Sequence, residues 1–404
     1  MKILVQKFGG TSVATAETRC AAIGKVKKAL EDGYAPVVVV SAMGRKGQPY
    51  ATDTLIGVLK TVNPAVAAHE LDMIMCCGEM ISASVMAAEM QRDGLEACAL
   101  TGGQAGICTD ERHGMAKIRR IDTDALLKLL EQGVIPVVCG FQGVTEETGQ
   151  LSTLGRGGSD TTAAALGAAL DAAAVEIYTD VNGIMTADPR LVADAKIMER
   201  IPYGAVCELA EQGAKVIHPR AVEIAMKKNI PLYVKCTFED CPGTLITSSE
   251  DFKVERADRE VAVSFISGVT YIEGITQAKV LLNGTDEGQH LFQLLADEGI
   301  SVSCLNLSLN GSMFAIYSEN TEACRSVLRN HGFHFKLTED CAKVSVVGIS
   351  VKGMPGLMAT FVNALTEKGI SILQTVDSAT TISAIIPGVC LKEAVQALHA
   401  AYHL

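Results

Sequence analysis

Lys7 closes a short apolar run, Ile3-Leu4-Val5, and is followed at once by Phe8, Gly9, Gly10, Thr11 and Ser12. Glycines let backbone N–H groups approach a ligand closely. A helix N-terminus adds positive potential, and a lysine supplies a full charge. The chemistry served by such a stretch is anion binding, and nucleotide phosphates suit it. Taken alone, it also fits a plain strand–turn–helix joint with a snorkelling lysine. Further charged residues fall near predicted strand ends: Glu79, Arg156, Asp160, Asp180, Arg190 and Lys215. Each by itself also reads as a solvated or capping residue. Asp160, after Gly157-Gly158-Ser159, sits where an N-cap belongs. Their joint placement favours a site, because open parallel sheets bind ligands at the carboxyl ends of their strands. No Walker A, G-x-G-x-x-G, His-Arg-Asp or Asp-Phe-Gly motif is present, so a nucleotide site here is of another type.

The elements that must hold these residues alternate. After the first strand a helix runs from about Ala16 to Leu30, and Ala35–Ala42 is a β-branched run of the doubly buried, parallel-sheet kind. Residues 43–50, rich in Gly, Lys and Pro, read as a mobile loop. Helices are predicted from about Thr52 to Lys60 and from about Pro64 to Arg92, the latter broken near Gly78. Strands are predicted over 95–100, 133–141, 175–179 and 232–235. An alanine-rich helix follows Asp160, and further helices cover 122–132, 203–212 and 219–228. This alternation predicts an α/β domain with a mainly parallel central sheet flanked by helices.

Composition narrows the class. The 404 residues are 48% hydrophobic and suit two or three domains. Aromatics are 4%, Trp is absent and the net charge is −11, which argues against nucleic-acid binding. The thirteen cysteines are scattered without zinc-site spacing and read as packing residues, with no metal site. No signal-peptide pattern follows Met1, and no stretch approaches the roughly 20 apolar residues of a membrane span. The expectation is a cytoplasmic protein with no membrane partner.

Composition turns polar near Ser248, and an internal repeat lies beyond. Leu295-Ala-Asp-Glu-Gly-Ile-Ser-Val302 recurs seventy positions later as Leu365-Thr-Glu-Lys-Gly-Ile-Ser-Ile372, and Ala278-Lys-Val280 recurs as Ala342-Lys-Val344. Each unit reads as strand, helix, then Gly-Ile-Ser strand. Units this small rarely make a core alone, so the two are expected to pack together.

Set side by side, Lys7–Val13, Ser41–Gly44, Gly78-Glu79, Thr153–Thr162, Tyr178–Val181, Thr186–Arg190 and Gly213–Arg220 resemble the motifs of aspartate kinase (aspartokinase), collinear from end to end. The chain resembles in particular the monofunctional, diaminopimelate-inhibited type, aspartokinase I, of spore-forming bacteria. The resemblance implies an amino-acid kinase fold over 1–247, a linker over 248–261, and two ACT (βαββαβ-like) regulatory domains over 262–338 and 339–404. It implies ATP + L-aspartate → ADP + 4-phospho-L-aspartate, with Mg2+, at the head of diaminopimelate, lysine, threonine and methionine biosynthesis. An ionised side-chain carboxylate needs no general base. It needs in-line positioning and neutralisation of crowded negative charge, which fits the absence of a catalytic histidine.

By resemblance, Lys7 and Asp160 are catalytic. Ser41, Thr52, Glu79, Arg156, Gly157, Gly158 and Ser159 hold aspartate, with Glu79 on the α-ammonium and Arg156 bidentate on the α-carboxylate. Lys7, Phe8, Gly9, Gly10, Thr179, Asp180, Met185, Arg190 and Lys215 hold ATP. Three residues depart from the common pattern: Cys77, Asn182 and Met185. The expected feedback effector is diaminopimelate, lysine or threonine, bound where the ACT domains meet by some of Asp286, Gln289, Gln374, Asp377 and Ser378. The resemblance also implies a homodimer or higher homo-oligomer built through the ACT domains. The competing readings are a kinase for glutamate or acetylglutamate, a non-catalytic ACT-containing amino-acid sensor on the same fold, and an NAD-dependent dehydrogenase with an ACT tail. The last lacks a dinucleotide fingerprint, and a sensor has no need of a phosphate lysine.

Overall fold

The computed structural model describes residues 1–214, 216–249, 266–348, 351, 354 and 356–404. Lys215 and residues 250–261 of the expected linker lie outside the described residues. The chain forms two compact units. One holds Met1–Ile184, Ile197–Ala210 and the described residues of 215–253. The other holds Met185–Lys196, Glu211–Ala214 and the described residues of 254–404.

The first unit is built on an eight-stranded sheet. Its strands are β1 (Ile3–Phe8), β2 (Ala35–Val40), β3 (Ala97–Leu100), β6 (Ile135–Cys139), β9 (Ala174–Thr179), β10 (Arg200–Pro202), β11 (Leu232–Cys236) and β12 (Thr244–Thr247). They lie in the order β10-β12-β11-β9-β1-β2-β6-β3. All neighbours are parallel except β11 and β12. Valines 37–40 are fully buried, as a strand covered on both faces requires. Helices α1 (Ala16–Glu31) and α3 (Ala68–Arg92) share one apolar core with Phe8, Val38, Val40 and Val137. Helix α5 (Gly158–Ala169) packs across β1 and β9, beside α7 (Pro219–Lys228). Its alanines 163–165 are buried, and a Cβ at Gly167 would come within 2.4 Å of Val175. Small residues there bring the helix close to the sheet.

Helix α3 runs unbroken through Gly78, where the sequence predicts a break. The glycine serves close approach. A Cβ there would lie 2.9 Å from Ala42 Cβ, 3.0 Å from Tyr50 O and 3.2 Å from Leu55 Cδ1, so the start of α2 (Thr52–Val62) can lie against α3. By length and composition α3 could also cross a membrane, contrary to the expectation that no stretch comes near. Its buried Asp72, Cys76, Glu79, Ser82 and Met86 mark it as a core helix of this unit. The sequence also gave no sign of a second, four-stranded sheet, β5-β4-β7-β8, formed by β4 (Ile107–Thr109), β5 (Ile118–Ile121), β7 (Gln142–Thr145) and β8 (Leu151–Thr153). Strands of three or four residues carry no readable alternation.

The second unit is one six-stranded antiparallel sheet, β14-β15-β13-β16-β18-β17. Its strands are β13 (Ile266–Leu281), β14 (Ser303–Ser308), β15 (Gly311–Tyr317), β16 (Phe335–Gly348), β17 (Gln374–Asp377) and β18 (Thr381–Pro387). The repeat is visible in detail. Helices α8 (Thr285–Asp297) and α10 (Leu357–Thr366) bury Leu295 and Leu365. Each is followed by a left-handed glycine, Gly299 (φ 69°) or Gly369 (φ 68°). The next residue's N–H then bonds back, Ile300 to Leu295 O (2.8 Å) and Ile370 to Leu365 O (3.0 Å). Two long strands are shared. Residues 275–281 of β13 pair with β15 and with the start of β16, whereas residues 266–272 pair with the end of β16. The core of the second repeat accordingly includes Ile266 and Val269, together with Ala187 and Val192. That core also takes in α11 (Leu391–Ala401) through Leu391, Val395 and Leu398.

Candidate active site

Strand β1 lies between β2 and β9, so the direction of winding reverses across it. That is the switch point at which open parallel sheets bind ligands, at the carboxyl ends of the strands. Lys7, near the end of β1, reaches α5, where its Nζ lies 2.6 Å from Asp160 Oδ1. Among the described residues Lys7 is the partner that compensates this oxygen. Gly9 N–H donates to Tyr178 O at 3.3 Å, and Phe8 stacks on Tyr178 at 5.0 Å between ring centroids. A Cβ on Gly10 would lie 2.7 Å from Ala42 O and 2.9 Å from Gly44 O, while Gly44 N–H donates to Gly10 O at 3.0 Å. The two glycines thus let the β1 turn nest against the turn after β2.

The helix that lends its N-terminus to the site is α5 rather than α1. Thr15 caps α1 and forms a capping box with Thr18, so that helix end is satisfied internally. Ser12, buried, spends its hydroxyl on Thr237 Oγ1 at 2.7 Å. On α5 the N-cap is Gly157, with φ 67° and no side-chain cap. Asp160 is therefore the third residue of the helix, not its cap. A glycine is needed at 157 on two counts, the left-handed backbone and the close packing of His218, whose Cδ2 would lie 2.1 Å from a Cβ. Gly158 N–H donates to Gly155 O at 3.1 Å, which leaves the N–H groups of Ser159 and Asp160 to face an anion.

Glu79 reaches the turn after β2, next to Ser41, through Ala42. Glu79 is 3% exposed; its Oε1 accepts from Ala42 N–H at 2.9 Å, and its Oε2 has no partner. Burial pushes the Glu79 carboxyl up to about 8, although the Ala42 N–H favours the charged form. An orphaned, desolvated carboxylate oxygen suits a cationic ligand group. Ser41, half-buried, follows β2 directly, and Thr52 opens α2. Buried Ser159 lies against Gly140, and Gly158 against Phe141 and Leu154. Arg156 is exposed and has no ion pair among the described residues. Lys7, Gly9, Gly10, Ser41, Thr52, Glu79 and 156–160 are thus all carried by elements that converge around the ends of β1, β2 and α5.

The expected nucleotide residues divide. Thr179 and Asp180 lie at the end of β9, and Thr179 Oγ1 donates to Asp180 Oδ1 at 3.2 Å. Met185 and Arg190 belong to the second unit. There Arg190 is paired with Asp188 at 2.6 Å, and Tyr271 OH donates to the same carboxylate at 2.9 Å. Of the departures, Cys77 is exposed with Sγ toward Met73 O, and Asn182 Nδ2 donates to Glu239 Oε2 at 2.7 Å. Of the effector candidates, Asp286 and Gln289 are exposed on α8, and Asp377 and Ser378 are exposed at the end of β17. Gln374 is buried; it accepts from Gln277 Nε2 at 3.2 Å and donates to Cys304 O.

Several neighbours of the site escaped the sequence reading. Arg45 reaches Asp180 Oδ2 at 2.7 Å from the 43–50 segment, which is tied down further by Gly47 N–H to Thr54 Oγ1 at 3.1 Å. Arg220 donates to Leu154 O at 2.9 Å. Burial, with Arg220 beside it, pushes His218 below the usual histidine range. The motif Gly213–Arg220 was a signal for these last two; Arg45 gave none.

The amino acid kinase family matches residues 2–236, and the ACT domain matches residues 336–400. Aspartokinase 1 of Bacillus subtilis is 44% identical over 406 residues, covering all of both chains. Aspartokinase of Geobacillus stearothermophilus is 38% identical, covering all of this chain and 98% of its own. Among solved structures, E. coli aspartokinase III in complex with aspartate and ADP aligns over all of both chains with a TM-score of 0.76, at 24% identity. Similarity at this level across full lengths places this chain in the aspartokinase family, as an aspartate kinase with an amino acid kinase domain followed by an ACT region.

Proposed function

We propose that the site around Lys7 and Asp160 transfers the γ-phosphoryl group of ATP to the side-chain carboxylate of L-aspartate. The observation that carries this is the placement of an orphaned buried carboxylate, Glu79 Oε2, in the same cluster as Lys7 and the open N-terminus of α5. One end of such a cluster binds an ammonium and the other a phosphate.

In this reading Lys7 and the amides of Gly9 and Gly10 stabilise the charge that spreads over the transferring phosphoryl oxygens. Asp160 orients Lys7. Glu79 receives the α-ammonium, and Arg156 closes on the α-carboxylate as a planar fork. Ser41, Thr52 and Ser159 offer hydroxyls to the remaining oxygens. The acceptor carboxylate attacks as it stands, and no proton has to move. Thr179 and Asp180 flank the nucleotide.

The residues fit magnesium held mainly by phosphate oxygens. Among the described residues no three or more His, Cys, Asp or Glu converge into a cage, and Asp160 offers a carboxylate beside Lys7 to the ion or its water. Bound there, magnesium would neutralise phosphate charge.

An end-product amino acid, diaminopimelate, lysine or threonine, acts through the ACT region, which also assembles the chain into a homo-oligomer. In this reading the reaction runs in the cytoplasm. The deciding experiment is ATP-dependent hydroxamate formation with aspartate against glutamate, on wild type and Lys7→Ala. The expected result is a strong preference for aspartate and a loss of roughly 10²-fold or more in kcat for the variant. Equal rates for the two proteins would remove Lys7 from the mechanism.

A further inference from the structure

Helix α3 carries a second buried carboxylate that the phosphoryl transfer does not use. Asp72 is 0% exposed, and no lysine or arginine reaches it among the described residues. Its charge is met by four donors. His113 Nδ1–H lies at 2.9 Å, Gly114 N–H at 3.0 Å, Thr153 N–H at 3.2 Å and the Thr153 hydroxyl at 2.5 Å. Desolvating a carboxylate costs several kcal/mol, and an apolar replacement often serves stability as well or better. The arrangement therefore makes better sense as a device for fixing geometry.

Asp72 and Glu79 are seven residues apart on one helix, so they project from nearly the same face about 10 Å apart along the axis. Glu79 holds the turn after β2 through Ala42 N–H. Asp72 holds Thr153, the last residue of β8, and Arg156 follows three residues later. The intervening chain has little slack. Ala116 N–H donates to Thr153 O at 2.9 Å. Gly155 (φ 78°) lies against Gly114, where a Cβ would be 3.1 Å from the carbonyl oxygen. A Cβ on Gly158 would be 2.6 Å from Phe141 Cβ. A shift at Thr153 is thus carried to Arg156 rather than absorbed.

We propose that Asp72 is a positioning residue for amino-acid recognition: by fixing Thr153 it sets the reach of Arg156 relative to Glu79, and so matches the site to the carboxylate and ammonium of one α-carbon. The inference rests on reading Glu79 and Arg156 as the two grips on aspartate.

The test uses the full-length chain, with Thr153→Val to remove the hydroxyl from Asp72, Thr153→Ser to restore it, and Asp72→Asn and Arg156→Lys beside them. The expected result for Thr153→Val and Asp72→Asn is a rise of about tenfold in KM for aspartate. KM for ATP should be unchanged and kcat kept within about twofold, and Thr153→Ser should return KM to the wild-type value. A KM for aspartate within twofold of wild type in folded Thr153→Val and Asp72→Asn would overturn the proposal. So would an equal change in both KM values with a lower melting temperature, which is what a purely structural role predicts. If Arg156→Lys leaves KM for aspartate unchanged, the grip reading itself falls, and the proposal with it. If Arg156→Lys raises that KM while Thr153→Val does not, the grip reading stands and the positioning role alone is lost.

Discussion

Lys7 and Asp160 form a close ion pair, 2.6 Å between Nζ and Oδ1, with both side chains almost enclosed. A lysine at the end of a strand has four rotatable bonds, and an acid on the first turn of a facing helix removes most of that freedom. Residues acting as such a unit are non-additive. Asp160→Ala and Lys7→Ala should each lower kcat, and the double variant should be no worse than Lys7→Ala alone. Steady-state kinetics on the three proteins checks this; additive losses would mean that the two act separately.

Glu79 predicts a pH dependence for substrate binding. Its carboxyl is pushed up to about 8 by burial, and only the ionised form attracts an ammonium. KM for aspartate should therefore fall as pH rises from about 6.5 to about 8.5, by close to tenfold per unit at the acid end of that window. Glu79→Gln should flatten this dependence and raise KM by roughly tenfold or more. Calorimetry in buffers of different ionisation enthalpy should show a proton released as aspartate binds. The folding linkage has the opposite sense. A carboxyl whose pKa is raised on folding adds stability that is complete below its unfolded value near 4.5 and is lost as pH rises through about 8.

Two glycines separate close approach from helix propensity. A Cβ at Gly10 would meet Ala42 O at 2.7 Å and Gly44 O at 2.9 Å, both backbone atoms that cannot swing aside. Gly10→Ala should abolish most activity by prising the two turns apart. Gly24, inside α1, has nothing within 4 Å of the equivalent position. Gly24→Ala should keep full activity and add about 0.5–1 kcal/mol of stability. Kinetics and urea melts on both variants give the comparison.

The Arg45–Asp180 pair is exposed, 72% for the arginine side chain, so it should contribute little to stability. It ties the 43–50 segment to the end of β9. Arg45→Ala should leave the melting temperature within about a degree of wild type and raise KM for ATP a few-fold. The same shift should appear in wild type at high salt, where such pairs are screened. An unchanged KM for ATP would make Arg45 a passive surface residue.

Much of this was legible in the sequence where the signal is local. Lys7, Gly9 and Gly10 are contiguous, and Gly157–Asp160 open a helix whose alanines announce it. The repeated Leu-x-x-x-Gly-Ile-Ser stretches likewise became two helix ends with matching left-handed glycines. What escaped depends on distant partners. Asp72 gains its meaning from His113 and Thr153, 41 and 81 residues away, and Arg45 from Asp180, 135 residues away. Gly78 looked like a break because a glycine lowers helix propensity, yet what decides its place is the Tyr50 carbonyl and the Ala42 methyl pressed against it. No periodicity reports such a neighbour.

The crossing of β13 into the second repeat orders events on the ribosome. Residues 266–272 emerge well before the end of β16 that they pair with, and Thr186 waits longer still for His399, 213 residues on, to which its hydroxyl lies at 2.9 Å. The core that encloses Ala187, Ile266 and Val269 is finished only when α11 brings Leu398, with Tyr402 just beyond it. A nascent chain thus carries unburied apolar surface from its middle until residues 391–402 have emerged. Loss of residues 391–404 would leave that surface bare, a burden for chaperones rather than a shortened enzyme.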